Sequence, residues 1–322
     1  HEKPSEKHPT GITHRNTLRM NWNDGHNNTI HNGIGRIGFY TGGHMARFRD
    51  EDLADEWQRQ ANKWIEENKD NPFFLFFSSH DIHVPRMPHE RFQGKSGMSY
   101  RGDAIVQLDW NVGEIMKTLD RLNLKKNTLV IFVSDNGPVL DDGYDDFANE
   151  QLGDHRPAGP YSGGKYTVRE GGTRIPFITY WENIIQPGIS KEMVSTIDLP
   201  ASMAALTGID LPNDGVLDSF NVLDALLGKR GAKGRQYIVS QDNGRKGNYG
   251  LRDGNWKLQR HDAKRMYNGD LSMDSWTVPQ YTLFNLDKDI AEANDVSKDY
   301  PQITERLKDQ LQSIIDRGKT RF

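Results

Sequence analysis

The stretch LVIFVSDNGP, residues 129–138, constrains the fold more than any other part of the chain. Leu129 to Val133 is an unbroken apolar run, rich in β-branched residues, ending at Ser134-Asp135-Asn136-Gly137-Pro138. Such a run reads as a strand buried on both faces, the situation of a parallel sheet covered by helices. Ligands of open α/β sheets sit outside the carboxyl ends of the strands, so Asp135 and Asn136 are placed for binding. They are also good turn residues, since Asn and Asp bond nearby backbone and Gly accepts positive φ.

The surrounding sequence extends this pattern. NPFFLFFSSHDIHVP, residues 71–85, reads as a second buried strand ending in polar residues, with the Phe73–Phe77 run as core. Leu53, Ala54, Trp57, Ala61, Trp64 and Ile65 repeat at helical spacing before it. After it, Ile105, Leu108, Val112, Ile115, Met116 and Leu119 mark one face of a helix. IPFITYW, residues 175–181, is a further strand, and VSTIDLPASMAALTGI a helix interrupted by Pro200. Alternating strands and helices predict an α/β fold with a large, mainly parallel sheet flanked by helices.

The ends of the chain differ in texture. Residues 1–50, rich in Gly, His and Asn, have neither helical nor strand periodicity and read as a long loop or insertion. Residues 51–231 form the expected α/β domain. Residues 232–322 hold short strands (RQYIVSQ, NYGLRDGNWKLQRH, QYTLFNLDKD) and a closing amphipathic helix, predicting a small antiparallel α+β subdomain.

Composition narrows the chemistry. The 322 residues contain no Cys, which removes disulfides, thiolate metal sites and a Cys nucleophile from this chain. A net charge of −4 without a basic block argues against a nucleic-acid partner, and no apolar run approaches membrane-spanning length, so no membrane partner is expected.

Three polar clusters should meet: SSHDIHVPRMP at 78–88, SDNGP at 134–138 and GPYSGGKYTVREGGTRIP at 159–176. In this order, with Asp-Leu-Pro at 198–200 and the LRDGNWKL and LFNLDKD segments, they resemble the formylglycine-dependent sulfatases of the alkaline phosphatase superfamily. The likeness covers nearly all of residues 70–318. It implies an alkaline-phosphatase-like sandwich and a divalent cation, usually Ca²⁺ with Mg²⁺ as the alternative. Asp135 and Asn136 match metal ligands, Lys165 the lysine that grips sulfate, and His83 a histidine that contacts sulfate or protonates the leaving oxygen. Arg174 matches a structural position, and His80 and Asp81 are neighbours that could join the site.

The likeness also has gaps. A hard cation takes about six to eight oxygen ligands, and two are in hand. The family's N-terminal Asp pair is missing, and so is the Cys/Ser-x-Pro/Ala-x-Arg motif that becomes formylglycine. The resemblance therefore implies that this chain is the C-terminal part of a longer enzyme, partnered by the segment that bears the nucleophile. The loop LDDGYDDFANEQLGDHRPAGP and the earlier GHNNTIHNGIGRIGF resemble bacterial polysaccharide sulfatases. This implies a sulfated carbohydrate substrate, 4-O-sulfated galactose or N-acetylgalactosamine among the options, and a periplasmic or secreted enzyme. Asp141, Asp142, His155 and His26 are then the candidate sugar-binding residues. A phosphodiesterase or phosphonate hydrolase of the same superfamily, and a catalytically silent sugar-binding module, are the alternatives.

Overall fold

The computed structural model describes residues 9–212, 214–242, 248–261, 266–268, 273–275 and 279–321. In chain order the elements are β1 (Ile30–His31), β2 (Ile34–Gly35), α1 (Leu53–Asn68), α2 (Ser99–Arg121), β3 (Val130–Val133), α3 (Glu170–Thr173), β4 (Phe177–Tyr180), α4 (Leu199–Thr207), α5 (Leu223–Leu226), β5 (Tyr237–Gln241), β6 (Tyr249–Asp253), β7 (Trp256–Arg260), β8 (Met266–Asn268), β9 (Met273–Ser275), β10 (Tyr281–Asn285) and α6 (Pro301–Arg317). The chain divides into two units. One comprises residues up to Lys125 together with Val139–His155, and the other Lys126–Pro138 with the bulk of the chain from Arg156 onward. No described helix is long and apolar enough to cross a membrane.

In the first unit, α1 starts with Asp55 and Glu56 in its first turn, favourable at the positive end of the helix dipole, and buries Ala54, Gln58, Ala61 and Ile65 along one stripe. Helix α2 departs from expectation. Its buried stripe is Asp103, Ala104, Gln107, Asn111, Thr118 and Leu119, largely polar, while Ile105, Leu108, Val112, Ile115 and Met116 are only half-buried. The stripe faces a half-buried carboxylate. Asp81 accepts hydrogen bonds from Gln107 Nε2 and Asn111 Nδ2, both at 2.6 Å, and from Ser79 Oγ at 2.9 Å. A carboxylate partly withdrawn from water needs such donors, and the polar stripe of α2 supplies them. A small core of Met20, Ile34, Val84 and Tyr144 ties the irregular N-terminal segment to the His83 loop and to the 139–155 loop.

The run at 73–77 corrects the reading of it as core. Phe73, Leu75 and Phe77 are half-buried, with Phe73 edge-on to Trp64 at 5.5 Å, but Phe74 and Phe76 are 75% and 77% exposed. A strand buried on both faces needs two covering layers, and among the described residues this segment has one and no ladder partner.

In the second unit β3 pairs with β4 antiparallel, Val130 opposite Tyr180 and Val133 opposite Phe177. Every ladder among the described residues is antiparallel, so the large, mainly parallel sheet expected from the sequence is not what these strands form. The C-terminal part holds a four-stranded sheet in the order β10-β7-β6-β5. Leu251, Leu258 and Leu283 on one face of it pack against Leu307, Leu311 and Ile314 of α6. Pro200 opens α4 rather than interrupting it, as its missing N–H allows at a helix start.

Candidate active site

The second unit gathers Asp135, Asn136 and Lys165 by backbone packing. Gly137 N donates to Gly172 O at 2.9 Å, and Lys165 N donates to Pro138 O at 2.9 Å. These bonds press the turn after β3 against the Gly163-Gly164-Lys165 loop and the start of α3. A Cβ on Gly137 would run into the carbonyl oxygen of Gly171, and one on Gly164 into that of Pro138. Both glycines are therefore there for close backbone approach. The Lys165 ammonium lies 4.8 Å from the centre of the Tyr166 ring, a cation–π contact.

The Asp135 carboxylate is exposed, and its Oδ1 accepts from Asn136 N at 2.9 Å. Asn136 Nδ2 donates to Gly137 O at 2.8 Å, which fixes the amide so that its oxygen is the atom left for a ligand. Two hard oxygen donors on one turn suit part of a Ca²⁺ or Mg²⁺ shell. Among the described residues no three His, Asp or Glu side chains converge into a fuller one.

Glu170 and Asp198, both in motifs that drew attention in the sequence, are structural. Glu170 is buried. Its Oε1 accepts from Lys257 Nζ at 2.8 Å and its Oε2 from Arg252 at 2.9 Å, while its N–H donates to Glu292 Oε2 at 2.7 Å. Lys257 also faces Glu292 at 3.3 Å. Burial pushes the Glu170 carboxyl up, but Lys257, Arg252 and Arg174 more than offset this and hold it below its ordinary value. Asp198, wholly buried, takes donors from Arg235, Phe220 N and Ser195 N. Arg174 pairs with Glu170 at 3.3 Å and lies over Tyr161.

In the first unit His83 is exposed, and its Nδ1 lies 2.8 Å from Val84 O. A carbonyl only accepts, so Nδ1 is the donor of this contact. His80 is half-buried; desolvation lowers its pKa, and Asp50 and Asp81 counter this in part. With its oxygens committed to α2 and Ser79, Asp81 holds the loop.

Arg86, which the sequence did not mark, fixes the His83 loop. It is 2% exposed and bonds Asp146 Oδ2 at 2.6 Å, Leu140 O at 2.8 Å, Val139 O at 2.9 Å and Ile82 O at 3.2 Å. The loop beginning at Val139 is thereby tied to the residues flanking His83. The only sequence signal was an Arg within the apolar context of HVPRMP.

Two of the sugar-binding candidates in this unit come together. Asp141 accepts from Asn23 Nδ2 at 2.9 Å, and the His26 ring lies 4.2 Å from that of Tyr144. The bonds Asn23 N to Gly143 O and Asp145 N to Asn21 O join the two loops. Asp142 is half-buried in the same loop. His155 is exposed at the far end of the loop, with its N–H on Leu152 O.

The chain belongs to the sulfatase family, whose profile, described as Sulfatase, matches residues 6–209. It is 45% identical over 311 residues to the N-acetylgalactosamine-6-O-sulfatase of Bacteroides thetaiotaomicron, a match covering 96% of this chain and 60% of that relative. To human arylsulfatase A it is 35% identical over 209 residues, 64% of this chain and 37% of the relative. A solved Bacteroides thetaiotaomicron sulfatase structure, from work on its metabolism of multiple glycosaminoglycans, superposes with a TM-score of 0.92 at 44% identity, covering 98% of this chain and 64% of that one. These neighbours carry the α/β fold of the family. The chain spans 60% of the length of the Bacteroides relative.

Proposed function

We propose that this chain supplies the sulfate-gripping and leaving-group residues of a carbohydrate sulfatase whose substrate is an N-acetylgalactosamine 6-sulfate. The observation that carries the reading is the 45% identity, over 96% of the chain, with a relative named for that reaction. That likeness supports O6 in our reading, where the sequence alone had 4-O-sulfated sugars among its options. In this reading β3 belongs to a larger, parallel sheet, and the exposed Phe74 and Phe76 of the first unit face sequence outside these 322 residues, as does Ile178 of the second.

The reaction breaks the ester bond between sulfur and the sugar oxygen. Lys165 places a positive charge beside the sulfate oxygens, where it is worth most as negative charge develops in the transition state. His83 gives an Nε2 proton to the departing sugar oxygen, which is otherwise a poor leaving group. Asp135 and Asn136 would hold the divalent cation. When bound, that ion neutralises charge on the sulfate. With no Cys and no Ser in the Cys/Ser-x-Pro/Ala-x-Arg context, the nucleophile in this reading lies outside these 322 residues.

The test is release of inorganic sulfate from the 6-sulfate and 4-sulfate of N-acetylgalactosamine, by the chain alone and by the chain co-expressed with the segment bearing the nucleophile motif. The reading expects release from the 6-sulfate, only with that segment, and lost in Lys165→Ala. Lys165-dependent turnover by the chain alone would overturn the external nucleophile. Faster cleavage of a phosphodiester than of either sulfate would overturn the sulfatase reading.

A further inference from the structure

Within the first unit lies a cleft of 480 Å³, inside the range of roughly 300–1,000 Å³ typical of small-molecule sites. Phe147 lines it, 53% exposed and with φ at +60°. A bulky aromatic in the left-handed region is rare and costs free energy, so its surroundings must impose the conformation.

They do so from both sides. Asp146, on one side, is buried against Arg86, and its Oδ1 accepts from Ala148 N at 3.1 Å, which buries the residue on the other side. Tyr144, two residues further back, is buried with its hydroxyl donating to Gly35 O at 2.6 Å. The loop is anchored at every neighbouring position, and the one apolar ring it could have buried is held out at the cleft.

The polar lining says what the ring faces. Asp141, Asp145 and Glu150 bring carboxylates and Asn149 an amide, and Asp145, Asn149 and Glu150 are exposed. The cation of the lining, Arg19, is ion-paired with Glu51. Carboxylates accept strongly from hydroxyl and amide N–H donors and repel anions. A flat apolar platform beside outward-facing acceptors matches a neutral pyranose, whose ring C–H face is apolar and whose rim carries hydroxyls.

We propose that this cleft is a subsite for a neutral hexose or N-acetylhexosamine ring, stacked on Phe147 and hydrogen-bonded by Asp141, Asp145 and Glu150. It rests on the carbohydrate-sulfatase reading for its choice of substrate class, and it excludes a second sulfated or carboxylated sugar from this position.

Binding is tested with unsulfated N-acetylgalactosamine titrated into the full chain and followed by NMR, with galacturonate as the anionic comparison. No sulfate is released in this measurement, so its failure leaves the sulfatase reading to its own assay. The expected result is saturable binding with upfield ring-current shifts of the sugar C–H protons and weaker binding of galacturonate. Phe147→Ala should weaken affinity on the order of tenfold, a loss of about 1.4 kcal/mol, and Phe147→Trp should retain it. Phe147→Gly, which suits the positive φ, should melt at or above the wild-type temperature and still fail to bind. Undiminished binding by Phe147→Ala or Phe147→Gly, or tighter binding of galacturonate than of the neutral sugar, would overturn the subsite.

Discussion

Glu170 and Lys257, 87 residues apart, form a buried ion pair with Oε1 and Nζ separated by 2.8 Å. The pair joins the EGGTR segment to β7, and Glu292 closes it from the other side of Lys257. Removing one partner of such a pair strands the other as a buried, uncompensated charge. Glu170→Gln should therefore lower stability by about 3–5 kcal/mol, read as a shift in the urea midpoint.

The same pair sets a pH dependence. The folded pKa of Glu170 lies below its ordinary 4.5, so its stabilising effect is complete above that value and is lost as pH falls through the folded pKa. Urea midpoints of wild type and Glu170→Gln should be far apart at pH 7 and converge toward pH 3. A constant gap across this range would mean that Glu170 titrates alike in the folded and unfolded states.

Arg86 and Asp146 form a second buried pair, both 2% exposed, beside the His83 loop. Arg86→Met leaves Asp146 buried without its cation and should cost about 3–5 kcal/mol, whereas Arg86→Met combined with Asp146→Leu should recover part of that loss. Additive losses in the double variant would show that the two side chains act independently.

Gly137 sits against the Gly171 carbonyl with no room for a methyl group. Gly137→Ala must push two backbones apart, and overpacking of this kind costs about 1–3 kcal/mol. The same displacement moves Lys165, so sulfate affinity, measured by calorimetry on the folded variant, should fall as well. Wild-type affinity in Gly137→Ala would separate Lys165 from the turn that holds it.

For His83 the two candidate roles make different kinetic demands. If it protonates the leaving oxygen, His83→Ala should slow a sugar sulfate by about 10²- to 10⁴-fold and barely affect nitrophenyl sulfate, whose phenolate departs unaided. If it grips the sulfate, both substrates should lose kcat/KM together. The ratio of the two losses in the assembled enzyme decides between the roles.

The sequence by itself determined the family, through the order of short motifs whose chemistry is local. Asp135-Asn136-Gly137-Pro138 after an apolar run, Gly-Lys165 and Glu170-Gly-Gly-x-Arg174 are all readable because each motif is contiguous. It also determined α1, α6 and the C-terminal strands, where hydrophobic period and turn residues agree. Only the tertiary structure decided which polar residues are structural. Asp81 reads as a neighbour that could join the site, but Gln107 and Asn111 claim its oxygens, and those bonds go with a polar stripe of α2 that faces inward against its apolar pattern. Glu170 finds Lys257, and Arg86 finds Asp146, across separations of 87 and 60 residues that no local periodicity encodes. The exposure of Phe74 and Phe76 was hidden for the same reason: an apolar run tells which residues need covering, while the covering layer is set by what else packs there.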